Sequence, residues 1–171
     1  MKKILTVILS VYLGLVLLMP KEQIIYTILN QANRQLINFE IEDMKDFGVY
    51  ENIDGLSIIY DKMRVAKIEN IKILPLIFYD KINITSISPA GTFKSMFSEK
   101  VYKASATYVV YLPFKIMINA DTSIGKIDGN FNLKNHKIKL VLHPNKNFRR
   151  FKYKNYFKKQ KGGYVYESII R

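Results

Sequence analysis

A strict alternation of apolar and polar residues across 125–143 constrains this fold more than any other sequence feature. In GKIDGNFNLK every second residue is apolar or glycine, and HKIKLVL repeats the pattern after a polar connection at Asn135 and His136. A period of two is that of a strand with one buried and one wet face. Two such runs joined by a short polar link predict an antiparallel hairpin.

Further strands are predicted along most of the chain after residue 39. They cover 56–60, 64–74, 76–88, 104–112, 114–120 and a last strand at YVYESII, 164–170. Residues 92–103 are expected to form a short helix or a loop. The predicted fold class is mainly β: an N-terminal transmembrane helix, then a mostly antiparallel, curved sheet of about six to eight strands plus a final strand, with one or two accessory helices.

The chain begins with two lysines and an uncharged run from Ile4 to Met19. Sixteen helical residues cover roughly 24 Å, slightly less than the roughly 30 Å hydrocarbon core of a bilayer. No small-x-small cleavage pattern follows the run, which favours an uncleaved anchor at 1–20 over a cleaved signal peptide, although both stay open. Lys2 and Lys3 place the short N-terminal tail in the cytoplasm. We therefore expect a single-pass inner-membrane protein with its C-terminal domain in the periplasm.

Residues 21–38 carry an apolar stripe at helical spacing that includes Ile25, Ile28 and Leu29. This pattern predicts a juxtamembrane amphipathic helix, which we expect to pack on the domain rather than lie at the lipid interface. The remaining residues, 39–171, are predicted to form one periplasmic β-domain.

The net charge of +13 is concentrated in a basic segment, residues 146–161, which holds eight Lys or Arg residues and no acid. Residues 22–145 hold 15 basic and 13 acidic residues, so the surplus is local. The candidate residues for binding an anionic surface are Arg149, Arg150, Lys152, Lys154, Lys158, Lys159 and Lys161. Interleaved aromatic residues would also suit a nucleic acid. The predicted location instead favours phospholipid head groups or another envelope protein, and the alternative is a solvated surface helix.

Nothing in the sequence indicates catalysis. There is no cysteine, and the two histidines, His136 and His143, lack metal-site spacing. Neither a nucleophile motif nor a glycine-rich phosphate loop is present. We therefore predict a non-enzymatic protein with no cofactor, no metal site and no catalytic residue.

The sheet carries many large apolar residues, and a curved sheet can leave such a face open as a groove for acyl chains. The possible groove residues are Ile82, Ile84, Ile116, Ile118, Ile127, Phe131 and Leu140. An ordinary closed core is the alternative.

Three stretches carry a family resemblance: DGLSIIY (54–60), YVVYLPFKIMINADTSIGKIDGNFNLKNHKIKL (108–140) and FKKQKGGYVYE (157–167). Together with one N-terminal anchor they resemble the type II secretion system N protein family, which is similar to AsmA-like envelope proteins whose sheets are thought to form lipid-carrying grooves. The resemblance implies an inner-membrane protein that faces the periplasm and assists a secretion or envelope assembly. The alternative function is a lipid-binding module with an apolar groove and a basic head-group-binding segment.

Overall fold

A computed structural model describes residues 2–32, 37–91, 93–96 and 99–170. The helices are α1 (Lys2–Leu18), α2 (Lys21–Ala32) and α3 (Phe93–Met96), with two 3-10 helices at Lys146–Arg150 and Lys154–Tyr156. The strands are β1 (Ile37–Asp46), β2 (Glu51–Tyr60), β3 (Met63–Pro75), β4 (Tyr79–Pro89), β5 (Val101–Val109), β6 (Lys115–Thr122), β7 (Gly125–Asn132), β8 (Lys137–Pro144), β9 (Lys158–Gln160) and β10 (Gly163–Ile169).

All ten strands belong to one open antiparallel sheet, in the order β1-β2-β3-β4-β5-β6-β7-β8-β10-β9. The mainly β class, the hairpin at 125–143 and the last strand are therefore confirmed. At the start of that hairpin Gly125 faces the backbone carbonyl of His143 so closely that a β-carbon would clash with it. This close backbone approach explains why glycine occupies the position. The curvature of the sheet stays a prediction.

Two segments differ from the sequence prediction because strand pairing takes residues that were assigned to helices. The amphipathic helix is described over Lys21–Ala32 and does not reach residue 38, because Ile37 and Asn38 already pair with Tyr60 and Ile59. Residues 33–36 lie outside the described part. The basic segment is not one helix, since after two 3-10 turns it enters β9, which pairs with β10. The sheet thus has more strands than predicted.

One row of residues interrupts the pairing of the first four strands. Four residues that lie opposite one another are not paired in the ladder: Glu42, Gly55, Glu69 and Ser86. Gly55 and Ser86 have positive φ values of 70° and 56°, and a β-carbon on Gly55 would collide with the Glu42 side chain. Across this unpaired row, apolar residues three positions apart share one face: the pairs are 41/44, 53/56, 68/71 and 84/87.

The core is divided between two clusters on that sheet. Ile25 of α2 is buried against Ile53, Leu56, Ile68 and Ile71 of β2 and β3, so α2 packs on the domain. The second cluster lies at the other side edge, where Ile124, Leu142 and Phe148 are buried together. Among the described residues, neither cluster includes a side chain of β5 or β6.

The N-terminal transmembrane helix stays a prediction. In the described part of the chain, neither helix alone combines the length and the apolar content of a bilayer span. Lys2–Leu18 and Lys21–Gln31 satisfy both requirements together, as a pair bent by 51°.

Candidate functional site

Helix α1 presents an unusually apolar surface. Ten of its large apolar side chains, between Ile4 and Leu18, are 49–85 % exposed, and only Val16 is buried. Soluble proteins seldom expose a continuous apolar surface of this kind, so the helix surface marks a site of interaction with a membrane or a partner.

The C-terminal turns of α1 pack on one end of the sheet. The Tyr12 hydroxyl donates a 2.6 Å hydrogen bond to the Leu76 carbonyl, at the turn between β3 and β4. The Tyr12 ring stacks on Phe78 of the same turn, with ring centroids 5.6 Å apart. Val16 is 2 % exposed. The helix is therefore attached to the domain through Tyr12 and Val16, which are one turn apart, while its large apolar side chains remain exposed along its whole length.

A buried charge cluster lies where α1 meets α2. Lys21 is buried, and its Nζ donates to both carboxylate oxygens of Asp46 at 3.3 and 3.2 Å. Beside them Glu51 is fully buried, and neither of its carboxylate oxygens has a hydrogen-bond partner among the described residues. Burial, with smaller contributions from Asp46 and Glu22, raises the pKa of Glu51, and Lys21 offsets part of this. The neutral carboxyl is thus favoured at this position.

The basic segment forms a cap that packs most of its aromatic rings together and exposes its basic side chains. Phe148 is 5 % exposed and contacts Phe151, Phe157 and Tyr164, the last with ring centroids 4.5 Å apart. All seven predicted anion-binding residues are exposed. The rings at 148, 151 and 157 are therefore occupied by packing, while the cations and the ring of Tyr156 are accessible.

This cap and α1 lie at opposite ends of the strands. The segment follows β8, and the Asn147 side chain donates to the Ser123 carbonyl in the turn between β6 and β7. Helix α1 instead contacts the turn between β3 and β4. Turns alternate between the two ends of an antiparallel meander, and the eight residues of β7 between these ends cover about 27 Å. The attachment site of α1 and the basic cations are thus separated by about the length of a strand.

The structure brings all seven predicted groove residues onto one face of the sheet. One cross-strand row joins Ile82, Ala106, Ile118, Gly129 and Leu140, and the rows beside it hold Ile84 with Ile127 and Ile116 with Phe131. Ile82 is 38 % exposed and the other six are half-buried. A hollow of about 360 Å³ spans β4 to β7 and is lined by Ile84, Ala104, Ala120, Ile127 and their polar strand neighbours. This apolar face is continuous, and it is only partly covered.

The acidic residues of β1 form ion pairs on the surface. Glu40 contacts Arg64 at 3.2 Å and Glu42 contacts Lys67 at 2.7 Å. Among the described residues no group of three or more His, Cys, Asp or Glu could hold a metal ion. The prediction that the chain is not an enzyme stays a prediction.

Sequence reasoning missed the cluster around Glu51, although a signal was present. Glu51 stands two residues before Ile53, and in a strand these positions share a face. The alternation thus places a carboxylate on the apolar side of β2.

Comparisons with known proteins give this chain no relative. No family model matches it, and neither a curated protein nor a solved structure matches it.

Proposed function

We propose that this chain is a non-enzymatic, membrane-anchored envelope protein, held in the bacterial inner membrane by α1 with its sheet in the periplasm. The observation that supports it is that α1 packs on the sheet through Tyr12 and Val16 while its large apolar side chains stay exposed along the whole helix. Packing against the domain favours a retained anchor over a cleaved signal peptide, because a cleaved segment needs no contact with the mature protein.

The length of α1 is compatible with a bilayer. Its 17 residues measure about 26 Å, a few ångströms less than a typical hydrocarbon core. A short span is accommodated by local thinning and by flanking lysines that extend to the head groups. Lys2 and Lys3 lie at the N-terminal end of α1, where their side chains can extend to the lipid head groups.

The role proposed for the domain is to assist a secretion or envelope assembly, as the resemblance to the type II secretion N proteins implies. The sheet has two lateral edges, β1 and β9, at which a partner strand can pair. The exposed cations of the basic segment add a contact surface for an anionic partner.

Membrane extraction tests the anchor. We expect the full chain to stay with bacterial membranes through alkaline carbonate washing. Leu9→Lys with Leu13→Lys should release it or reduce its yield, because each central charge costs about 2.5–3.5 kcal/mol of insertion free energy. Leu9→Ile with Leu13→Ile is the matched control and should behave like the unmodified chain. Release of the unmodified chain by carbonate would contradict the proposal.

The second candidate function is lipid binding along the apolar face, favoured by the shared face of the seven groove residues, of which six are half-buried and Ile82 is exposed. It predicts phospholipid in the detergent-extracted protein, detected by mass spectrometry. Ala106→Phe fills the middle of this face, since Ala106 lies between Ile82 and Ile118. If the face holds acyl chains, the variant should lose bound lipid and keep its thermal stability. Absence of lipid from the unmodified protein favours the interaction role alone.

A further inference from the structure

One end of the sheet carries a row of exposed apolar turns. Four turns lie there, between β1 and β2, β3 and β4, β5 and β6, and β7 and β8, together with the end of β10. Their most exposed apolar side chains are Phe47, Phe78, Tyr111, Phe114 and Ile169, which are 53, 56, 77, 57 and 64 % exposed. We call this row the apolar rim.

The rim is physically continuous, and it is continuous with α1. Backbone hydrogen bonds join the second, third and fourth of these turns and the end of β10: Val110 N donates to Phe78 O at 3.0 Å, Leu133 N to Phe114 O at 2.9 Å, and Ile170 N to His136 O at 2.9 Å. Tyr12 of α1 stacks on Phe78 in the second turn. The apolar surface therefore runs from the helix across the turns to the last strand.

The opposite end of the sheet has a different character. Its described turns contain mainly polar or small residues, such as Asp61, Lys62, Gly91, Ser123, Lys161 and Gly162, and the exposed large apolar side chains described at this end are Tyr60, Met63, Tyr102 and Tyr156. Ile124, a large apolar residue in one of these turns, is buried. The basic segment lies at this end too. Exposed large apolar side chains thus occur at both ends of the sheet and are more numerous at the end where α1 is attached.

We infer that the apolar rim contacts the interfacial region of the bilayer that α1 enters, so that the sheet stands on the membrane with its strands along the membrane normal and its basic cap pointing away. This inference rests on the proposed anchor. The rim chemistry fits a lipid interface, because tyrosine is enriched at that depth and phenylalanine and isoleucine bury apolar area there. Lys115 and Lys134 beside the rim extend to lipid phosphates.

Site-directed fluorescence quenching tests this orientation, since the chain has no cysteine and each introduced thiol is unique. The full chain is reconstituted into phosphatidylethanolamine and phosphatidylglycerol vesicles that contain a phospholipid with a nitroxide near the head-group end of its acyl chain. An environment-sensitive dye is attached at Leu9→Cys in α1, at Tyr111→Cys in the rim, or at Asn155→Cys in the basic cap. All three positions are exposed, so labelling leaves the core intact.

We expect the dyes at positions 9 and 111 to lose at least half of their fluorescence and the dye at 155 to lose almost none. Quenching at 9 without quenching at 111 would overturn the rim contact and leave the anchor standing. Absence of quenching at both positions would overturn the anchor and the rim contact together. Equal quenching at 111 and 155 would show a sheet lying flat, which also overturns the inference. Phe114→Cys, at a second exposed rim position, should report the same result as position 111.

Discussion

At the residue scale, Glu51 is a position whose surroundings disfavour the charged form of its side chain. Its carboxylate is fully buried, with Lys21 as the nearby cation that favours its charged form. Lys21 already pairs with Asp46, so the attraction available to Glu51 is shared. A buried charge without a hydrogen bond destabilises the fold, and the pKa of the group rises in response.

Glu51→Gln should therefore stabilise the protein at neutral pH. The folded state binds the Glu51 proton more tightly than the unfolded chain, so this contribution to stability is complete below the ordinary glutamate pKa and is lost as pH rises through the raised pKa. We expect the two proteins to be equally stable near about pH 4, and the variant to gain about 1.4 kcal/mol in unfolding free energy by neutral pH for each unit of pKa elevation. Urea unfolding in detergent, followed by circular dichroism across this range, measures the difference.

Glu167→Gln is the control with the opposite sign. Hydrogen bonds from Lys137 and Lys139 lower the pKa of Glu167, so its contribution is present above the ordinary pKa and lost as pH falls through the lowered value. This variant should be the less stable protein at neutral pH, with the difference vanishing in acid. Parallel pH profiles for Glu51→Gln and the unmodified chain would contradict a raised pKa at Glu51.

At the element scale, two elements outside the strand meander cover part of the sheet. Helix α2 buries Ile25 against β2 and β3, and the 3-10 turns of the basic segment bury Phe148 beside Leu142 of β8. Both elements are short, so their stability comes from tertiary packing rather than from helix propensity.

Ile25→Ala should destabilise the protein by about 2–5 kcal/mol, because it leaves a cavity between α2 and the sheet. Ile28→Ala is the matched control on the same helix: Ile28 is exposed, so its replacement should change the unfolding free energy by less than about 0.5 kcal/mol. Chemical unfolding in detergent compares the two. Equal losses would mean that α2 buries a different face.

Phe148→Ala should cost about 3–5 kcal/mol, because the ring fills the centre of the second cluster. Tyr156→Ala, at an exposed ring of the same segment, should cost less than about 0.5 kcal/mol. The same unfolding measurement applies. A negligible loss for Phe148→Ala would mean that the ring is free for stacking on a ligand.

Sequence reasoning found β7 and β8 from their uninterrupted alternation, and it also placed strands over much of β2, β3 and β4 despite the unpaired row. It did not find β1, because its apolar residues Ile41 and Met44 are three apart across the unpaired row, a spacing that also fits a helix. The same spacing at 53/56 and 68/71 was the available signal for that row. β9 is three residues long and depends on pairing with β10, so no local pattern predicts it.

At the scale of the whole molecule, the two ends of the strands differ in surface chemistry. Exposed apolar turns and α1 lie at one end, and the basic cap lies at the other. The sequence predicts that apolar and basic residues are concentrated near opposite termini. It does not predict that strand direction separates them in space, because this depends on the number of strands between them.

The central claim is that α1 anchors the chain and leaves the sheet outside the cytoplasm. Thiol labelling tests it directly, because Asn155→Cys provides the single cysteine, at an exposed position. Spheroplasts that express this variant are treated with a membrane-impermeant maleimide, with a cytoplasmic thiol protein as the control for intact membranes. We predict that Asn155→Cys is labelled while the cytoplasmic control is not. Labelling of Asn155→Cys only after the membranes are lysed would contradict the account.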